Sequence, residues 1–203
     1  MVEKAGRLFL ISGPSGSGKD TILKDFFQKH PEAVFSISTT TRAKRDSRDN
    51  EKYHFISRED FEKAIASDEF LEYAEYCGNY YGTPKGPIEN WISEGKDVFV
   101  EVETVGAQKI MEELPELVSI FIMPPSVEVL KKRLAGRKTE SSEQAEKRIK
   151  EAVREMSAAI NYDFVIINDR LEDAAELFES IITADHARTS RNINIINEVL
   201  KNA

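Results

Sequence analysis

An α/β fold with a parallel sheet flanked by helices is predicted by three features of the sequence. Apolar, β-branched runs typical of strands buried on both faces occur at 7–12, 97–103, 118–123 and 163–167. Helical patterns separate or follow these runs at 21–29, 106–113, 127–134, 143–156, 172–184 and 192–201. The first run leads directly into a glycine-rich loop and then a helix. Alternation of strands and helices indicates a parallel sheet covered by helices.

The glycine-rich loop after the first predicted strand reads Gly13-Pro14-Ser15-Gly16-Ser17-Gly18-Lys19-Asp20-Thr21. Its small residues allow successive backbone N–H groups to point into one hollow, and the following helix adds the positive end of its dipole. An ordinary tight connection is the alternative, but a lysine at a helix start opposes the dipole. We therefore predict a phosphate-binding loop in which Lys19 reaches the β- and γ-phosphates of a nucleoside triphosphate.

Asp20 stands where such a loop usually has the Ser or Thr that holds magnesium. As an acid in the first helical turn it complements the helix dipole, which stabilises by about 0.3–1 kcal/mol. A carboxylate about 4 Å from a phosphate oxygen would, however, be repelled by roughly 4 kcal/mol at an effective dielectric near 20. A divalent cation between the two reverses the sign. Either Asp20 coordinates Mg²⁺, directly or through its waters, or it points out of the loop and Thr21 serves the phosphate.

The composition limits the classes of partner. The net charge is −8, so the broad basic face that a nucleic acid polymer requires is not expected. No run of about 18 apolar residues is present, and the first six residues do not resemble a signal peptide. We expect a cytoplasmic protein without a membrane contact. Cys77 is the only cysteine, so no internal disulfide is expected.

Two stretches interrupt the alternation of strands and helices. Residues 33–94 contain short alternating segments and a short helix at 59–67, which indicates a small mixed β lobe inserted after the first helix. Residues 126–155 are highly charged and lack the apolar stripe of a deeply packed helix pair, a pattern typical of a lid over a nucleotide. The core then comprises 1–32, 95–125 and 156–203.

Five further segments, in order along the chain, resemble those of guanylate kinases. They are FSISTTTR at 35–42, FLEYAEYCGNYYGT at 70–83, PPS at 124–126, RLAGR at 133–137 and NDRL at 168–171. The resemblance extends from about residue 8 to about residue 182. It implies a P-loop core with a five-stranded parallel sheet, a GMP-binding lobe at 33–94 and a helical lid. It also implies the Mg²⁺-dependent reaction of ATP and GMP to ADP and GDP.

The resemblance assigns a GMP site in the inserted lobe. Glu72 matches the family's guanine-contacting carboxylate, and Glu103 stands where the family has a second acid, more often Asp. A carboxylate can accept from the N1–H and N2–H₂ donors of guanine together, whereas adenine offers no matching donor pair. Thr83 and Ser38 match hydroxyls on the base side. The residues that match the set holding the GMP phosphate are Arg42, Arg45, Tyr53 and Tyr81.

The resemblance also assigns the ATP side. Arg137 and Arg148 match lid arginines that swing onto the triphosphate, and Arg133 is their expected companion. Asn168 matches a position near the adenine, although a turn residue is the alternative. These residues join Gly13, Pro14, Ser15, Gly16, Ser17, Gly18, Lys19, Asp20 and Thr21.

The reaction needs no general base. A phosphate monoester has its second pKa near 6, so the GMP phosphate is already largely dianionic at neutral pH. Catalysis is then positioning and charge neutralisation, for which lobe and lid must close. The groups expected to provide it, with Mg²⁺, are Lys19, Arg42, Arg45, Arg137 and Arg148.

The chain departs from the family pattern at several positions. The segment 43–52 lacks the usual proline and glycines, so either Arg45 or Arg48 makes the second phosphate contact. Val105 replaces the usual Gln before a Gly-Ala pair, and Lys138 replaces a glycine in the lid.

Two other functions stay open at this point. A catalytically silent guanylate-kinase-like module could bind a phosphopeptide, but such modules generally lack a working phosphate loop, and Gly18 and Lys19 are present. A kinase of another phosphorylated acceptor is the second alternative, and Glu72 and Thr83 argue against it.

Overall fold

The computed structural model describes residues 6–44, 53–76, 78–135 and 142–201. These residues fall into two compact units. The first unit contains Ser12–Pro31 and the chain from Ser119 onward, and the second contains Gly6–Ile11 and Glu32–Val118. Among the described residues no helix has the length and apolar character needed to cross a membrane.

The secondary structure follows the predicted alternation. The strands are β1 Leu8–Ser12, β2 Val34–Phe35, β3 Ser38–Thr40, β4 Tyr53–Phe55, β5 Phe70–Tyr76, β6 Asn79–Pro84, β7 Val98–Glu101, β8 Val118–Met123 and β9 Phe164–Ile167. The helices are α1 Lys19–Lys29, α2 Arg58–Ala66, α3 Lys85–Ser93, α4 Thr104–Glu113, α5 Val127–Ala135, α6 Ser142–Met156, α7 Leu171–His186 and α8 Thr189–Lys201. A short 3₁₀ helix, Ser157–Asn161, follows α6.

A five-stranded parallel sheet with strand order β2-β7-β1-β8-β9 forms the core and confirms the predicted fold class. The four strands predicted from apolar runs are β1, β7, β8 and β9. The fifth, β2, pairs with β7 through Val34 opposite Val98. Its residues fall within 33–94, the range predicted as the inserted lobe, because two residues are too few to show a strand period. The proposed limits of core, lobe and lid remain predictions.

A second, mixed sheet with the order β4-β3-β6-β5 is built within the second unit. β3 pairs with β4 in parallel and with β6 antiparallel. Helix α2 covers this sheet with Phe61, whose ring stacks on Phe70 at 4.3 Å and on Tyr80 at 5.1 Å between centroids. Gly82 provides the room, since a Cβ there would lie 2.8 Å from Phe70 Cδ1 and 2.9 Å from Phe61 Cζ. The sheet therefore has its own aromatic core.

Helices α5 and α6 correct one expectation from the sequence. The segment 126–155 was predicted to lack an apolar stripe, yet Leu130, Leu134 and Ala152 form a buried cluster, with Ile149 and Met156 against it. The spacing of four residues on α5 and of three and four on α6 places these side chains on one face of each helix. The prediction was wrong because the many charged residues between these positions mask the stripe.

Candidate active site

The phosphate-binding loop adopts a shape that only glycine permits at two positions. Gly13 has a φ of 147°, and a Cβ there would lie 2.0 Å from the carbonyl oxygen of Ile122. Gly18 has a φ of 93°, and a Cβ there would lie 2.2 Å from Asn168 Nδ2. The loop thus runs close against the end of β8 and the residue after β9, with its last glycine as the N-cap of α1.

Lys19 lies at the first position of α1 and turns back into the loop. Its Nζ donates to the carbonyl oxygen of Gly13 at 2.6 Å and to that of Pro14 at 3.4 Å. The residue is only 9% exposed. An ammonium group held by loop carbonyls is positioned for a phosphate that enters the same loop.

Asn168 and Arg133 brace the loop from two sides. Asn168 Nδ2 donates to the carbonyl oxygen of Ser17 at 2.8 Å, and Arg133 donates to the carbonyl oxygens of Asn168 at 2.9 Å and of Ser17 at 3.4 Å. An open hollow of about 290 Å³ lies beside them, also lined by Gly18, Thr21, Asp169 and Leu171. Asn168 is 4% exposed, and its side chain is hydrogen-bonded to the backbone of the glycine-rich loop. The sequence had left a simple turn residue open as the alternative.

The helices α5 and α6 both contact the loop. Arg148 on α6 donates to Ser15 Oγ at 3.0 Å. On α5, the side chains of Leu130 and Leu134 come so close to Gly16 that a Cβ there would lie 3.0 Å from Leu134 Cδ2. The structure therefore brings one of the two expected lid arginines to the loop. The other, Arg137, lies outside the described residues.

Asp20 and Thr21 lie exposed in the first turn of α1. The N-cap residue of α1 is Gly18, which has no side chain that could accept a hydrogen bond from the first amides of the helix. Within the described ranges no group of three or more His, Cys, Asp and Glu residues could hold a metal on its own.

The second unit contains a half-buried carboxylate. Glu72 on β5 is the register partner of Thr83 on β6, and Thr83 Oγ1 donates to Glu72 Oε1 at 2.8 Å. Burial raises the pKa of Glu72 above its ordinary value, although the Thr83 hydrogen bond and the charge of Lys109 act in the opposite direction. The structure thus joins two of the residues expected to contact guanine. Glu103, the N-cap residue of α4, is exposed and caps no amide of that helix with its side chain.

A cationic and aromatic cluster lies on the same mixed sheet. The Arg42 guanidinium lies over the Tyr53 ring at 5.5 Å, and the rings of Tyr53 and Tyr81 contact edge to face at 5.8 Å. Burial and Tyr81 raise the pKa of the Tyr53 phenol, whereas Arg42 lowers it. The net result keeps Tyr53 a neutral hydroxyl donor at neutral pH. Ser38 is the register partner of Tyr53, and Arg45 and Arg48 lie outside the described residues.

One residue at this site was not predicted as a site residue from the sequence. Gly106, in the first turn of α4, lies so close to Glu72 that a Cβ there would be 2.6 Å from Glu72 Oε2. The only available hint was the Gly-Ala pair at 106–107, which the resemblance treated as part of a motif. The partner on β5 is distant in the sequence, so only the structure identifies the contact.

Comparison with known proteins identifies the family. A family model described as guanylate kinase matches residues 5–185. The guanylate kinase of Symbiobacterium thermophilum is 44% identical over 196 residues, which cover 96% of this chain and 93% of the relative. That of Trichormus variabilis is 47% identical over 176 residues, covering 86% and 88%. The crystal structure of guanylate kinase from Anaplasma phagocytophilum aligns with a TM-score of 0.73 at 33% identity, over 93% of this chain and 90% of that one. With this motif order, this fold and these relatives, the chain belongs to the guanylate kinase family.

Proposed function

We propose that this protein transfers the γ-phosphoryl group of ATP to GMP in the cytoplasm and releases ADP and GDP. The observation that carries this proposal is the Glu72 carboxylate, half-buried on the mixed sheet and hydrogen-bonded to Thr83. Desolvation raises the pKa of this acid, and a carboxylate with a perturbed pKa favours a ligand-binding role. Small nucleotides, not a nucleic acid polymer or a membrane, are its proposed partners.

The chemistry of this carboxylate selects guanine. Thr83 occupies one lone pair of Oε1, so acceptor capacity remains on both carboxylate oxygens. The guanine edge presents two donors side by side, and a carboxylate accepts such a pair with short, charge-assisted hydrogen bonds. Adenine has no equivalent donor pair and would leave the partly desolvated carboxylate without a partner on the base. Specificity therefore comes mainly from the penalty on the wrong base.

The phosphate of the bound nucleotide requires cations and hydroxyl donors. Arg42 supplies a forked guanidinium, and Tyr53 and Tyr81 supply phenolic hydroxyls beside it. The first unit places Lys19 and Arg148 at the phosphate-binding loop. Because the acceptor phosphate is already a dianion near pH 7, these groups act by positioning and by neutralising charge. The proposed roles of Arg45 and Arg137 belong to the same set.

Magnesium fits this loop through Asp20. Protein Mg²⁺ sites commonly use one or two carboxylates together with substrate phosphates, and one exposed carboxylate in the first turn of α1 satisfies that requirement. When bound, Mg²⁺ would neutralise charge on the β- and γ-phosphates. We propose Asp20 as the residue that holds it, directly or through water.

Substitution of Asp20 tests this assignment. Asp20→Ser restores the usual hydroxyl ligand, so the variant should remain active but need more Mg²⁺ for half-maximal rate. Asp20→Asn removes the charge and should shift the Mg²⁺ requirement in the same direction. The measurement is the initial rate at saturating ATP and GMP across a Mg²⁺ titration. An Asp20→Asn variant with the wild-type Mg²⁺ dependence would show that the carboxylate does not serve the metal.

Replacement of Tyr53 by Phe tests the GMP phosphate site. Loss of one hydrogen bond to the charged phosphate, about 1.5–3 kcal/mol, should raise the KM for GMP by about ten- to 150-fold. The KM for ATP should not change, and the ring contact with Tyr81 is retained. Tyr80→Phe is the matched control, because its ring stacks on Phe61 and its hydroxyl accepts from Arg58. Equal effects of the two variants on GMP would contradict the assignment of Tyr53.

The proposed reaction is tested with a panel of acceptors. Purified protein with ATP and Mg²⁺ should phosphorylate GMP, and dGMP more slowly, while AMP, CMP and UMP remain poor acceptors. A coupled spectrophotometric assay of ADP formation measures each rate. Equal turnover of AMP and GMP would refute the role of Glu72. No turnover together with tight binding of a phosphopeptide would support the binding-module alternative.

A further inference from the structure

Gly106 occupies the third position of α4 without a conformational reason for glycine. The glycines with positive φ in the described residues are Gly13, Gly16, Gly18, Gly78 and Gly95, and Gly106 is not one of them. Inside a helix, glycine is less favourable than alanine because it loses more backbone entropy on folding. A reason for glycine here must therefore lie in the surroundings of the helix.

The surroundings leave no room for a side chain. A Cβ at position 106 would lie 2.6 Å from Glu72 Oε2, 3.0 Å from Glu72 Cδ and 2.9 Å from Val102 Cγ1. All three distances are shorter than van der Waals contact. Two of the three atoms belong to one carboxylate, which occupies the space that a side chain at 106 would take.

The same carboxylate is fixed on its other side. Thr83 Oγ1 donates to Glu72 Oε1 at 2.8 Å, and the register of β5 and β6 places the two residues opposite each other. The first turn of α4 meets the other oxygen, Oε2, and the positive end of a helix dipole favours a negative charge there. The carboxylate is held between a hydroxyl on β6 and the bare backbone of α4.

We propose that Gly106 is a positioning residue for the carboxylate that recognises guanine. This inference rests on the proposed function of Glu72. The missing side chain lets Oε2 lie against the first turn of α4 while Oε1 keeps its bond to Thr83, which fixes the plane in which both oxygens accept from the base. A methyl group at 106 displaces Oε2 from that plane. GMP binding then weakens, whereas the ATP side, built in the other unit, is not affected.

The test compares Gly106→Ala with Gly86→Ala. Gly86 also lies in the first turn of a helix, α3, and an added Cβ there would meet no atom within 4 Å. Gly106→Ala should raise the KM for GMP about tenfold to hundredfold, the range expected for loss of a bidentate contact to a base. Its KM for ATP should match wild type. Gly86→Ala should leave both KM values unchanged and keep or raise the melting temperature.

A second pair of variants identifies the atom that is displaced. Glu72→Asp withdraws the carboxylate by one methylene, so it should raise the KM for GMP less in the Gly106→Ala background than in wild type. It should also recover part of any melting temperature lost in Gly106→Ala, measured without nucleotide. If Gly106→Ala alone does not fold, recovery of folded protein by Glu72→Asp reports the same clash. Recovery by Val102→Ala instead would overturn the inference.

The outcomes separate this inference from the proposed function. Failure of wild-type protein to phosphorylate GMP refutes the function, whereas the melting temperatures of the apo variants still report the contact. If wild type uses GMP and Gly106→Ala keeps its KM for GMP, Gly106 does not position the carboxylate. A rise in both KM values with a lower melting temperature would indicate a general structural role and would also overturn it.

Discussion

Replacement of Lys19 by Met should reduce kcat by about 10²–10³-fold or more, as removal of one preorganised donor to a developing charge does in other enzymes. The Nζ of Lys19 already lies inside the loop, 2.6 Å from the carbonyl oxygen of Gly13. On nucleotide binding we expect it to exchange these carbonyls for phosphate oxygens, whose charge would increase its contribution. Met keeps the length and apolar stem of the side chain but removes the charge.

Lys24→Met is the matched control for this variant. Lys24 lies exposed on the same helix, so its loss should leave kcat and both KM values near wild type. Steady-state rates with saturating GMP and varied ATP measure the effect, and the melting temperature without nucleotide checks the fold. A Lys19→Met enzyme that retains more than about a tenth of the wild-type kcat would be inconsistent with direct stabilisation of the transferring phosphoryl group.

Glu72→Gln should weaken GMP binding by about 1–3 kcal/mol, the range seen for bidentate contacts to bases. The amide has the same shape but presents one acceptor and one donor, so one of the two guanine donors loses its partner. ATP binding should not change. Calorimetric titrations with GMP and with ATP measure the two effects separately.

The same variant should change the pH dependence of stability in a defined direction. Burial raises the folded-state pKa of Glu72, so wild-type protein loses stability as the pH rises through that pKa. Glu72→Gln lacks this loss and should gain stability relative to wild type at pH 7, with the gain vanishing below the unfolded pKa near 4.5. Urea unfolding at several pH values without nucleotide measures the difference.

Glu75→Gln serves as the control for both measurements. Glu75 is on the same strand but is exposed, with Arg58 at 3.6 Å, and should affect neither GMP affinity nor stability by more than about 0.5 kcal/mol. A Glu72→Gln variant that loses stability at pH 7 and affinity for both nucleotides together would mark Glu72 as a structural residue.

Much of the fold could be predicted because its signals are local. Buried parallel strands such as β8 appear as continuous apolar runs, and the phosphate loop carries a motif whose spacing reflects its geometry. The strand β2 could not be predicted, since its two residues show no period and its pairing with β7 depends on distant sequence. The buried face of α5 and α6 was missed because charged residues dominate the composition of both helices.

At the candidate site, too, some residues could be predicted from the sequence, whereas their contacts could not. Glu72 and Thr83 followed from a family resemblance, and the 2.8 Å hydrogen bond joins them. Sequence alone could not show that partial burial raises the pKa of the acid. For Asn168 the sequence left two roles open, a position near the adenine and a turn residue. Its hydrogen bond to the carbonyl oxygen of Ser17 could not be predicted, because the two residues are 151 positions apart in the sequence. The contact of Gly106 could not be predicted from the sequence, because the carboxylate that leaves no room for a side chain there lies on another element.

We propose that this protein phosphorylates GMP in preference to every other nucleoside monophosphate. The most direct measurement is a competition in which equal concentrations of GMP, AMP, CMP and UMP share one reaction with ATP and Mg²⁺. Products are separated by ion-exchange chromatography at early times. We predict that GDP accumulates in step with ADP while CDP and UDP stay at background and GMP alone is depleted. Simultaneous consumption of AMP and GMP, or ADP formation without GDP, would contradict the claim.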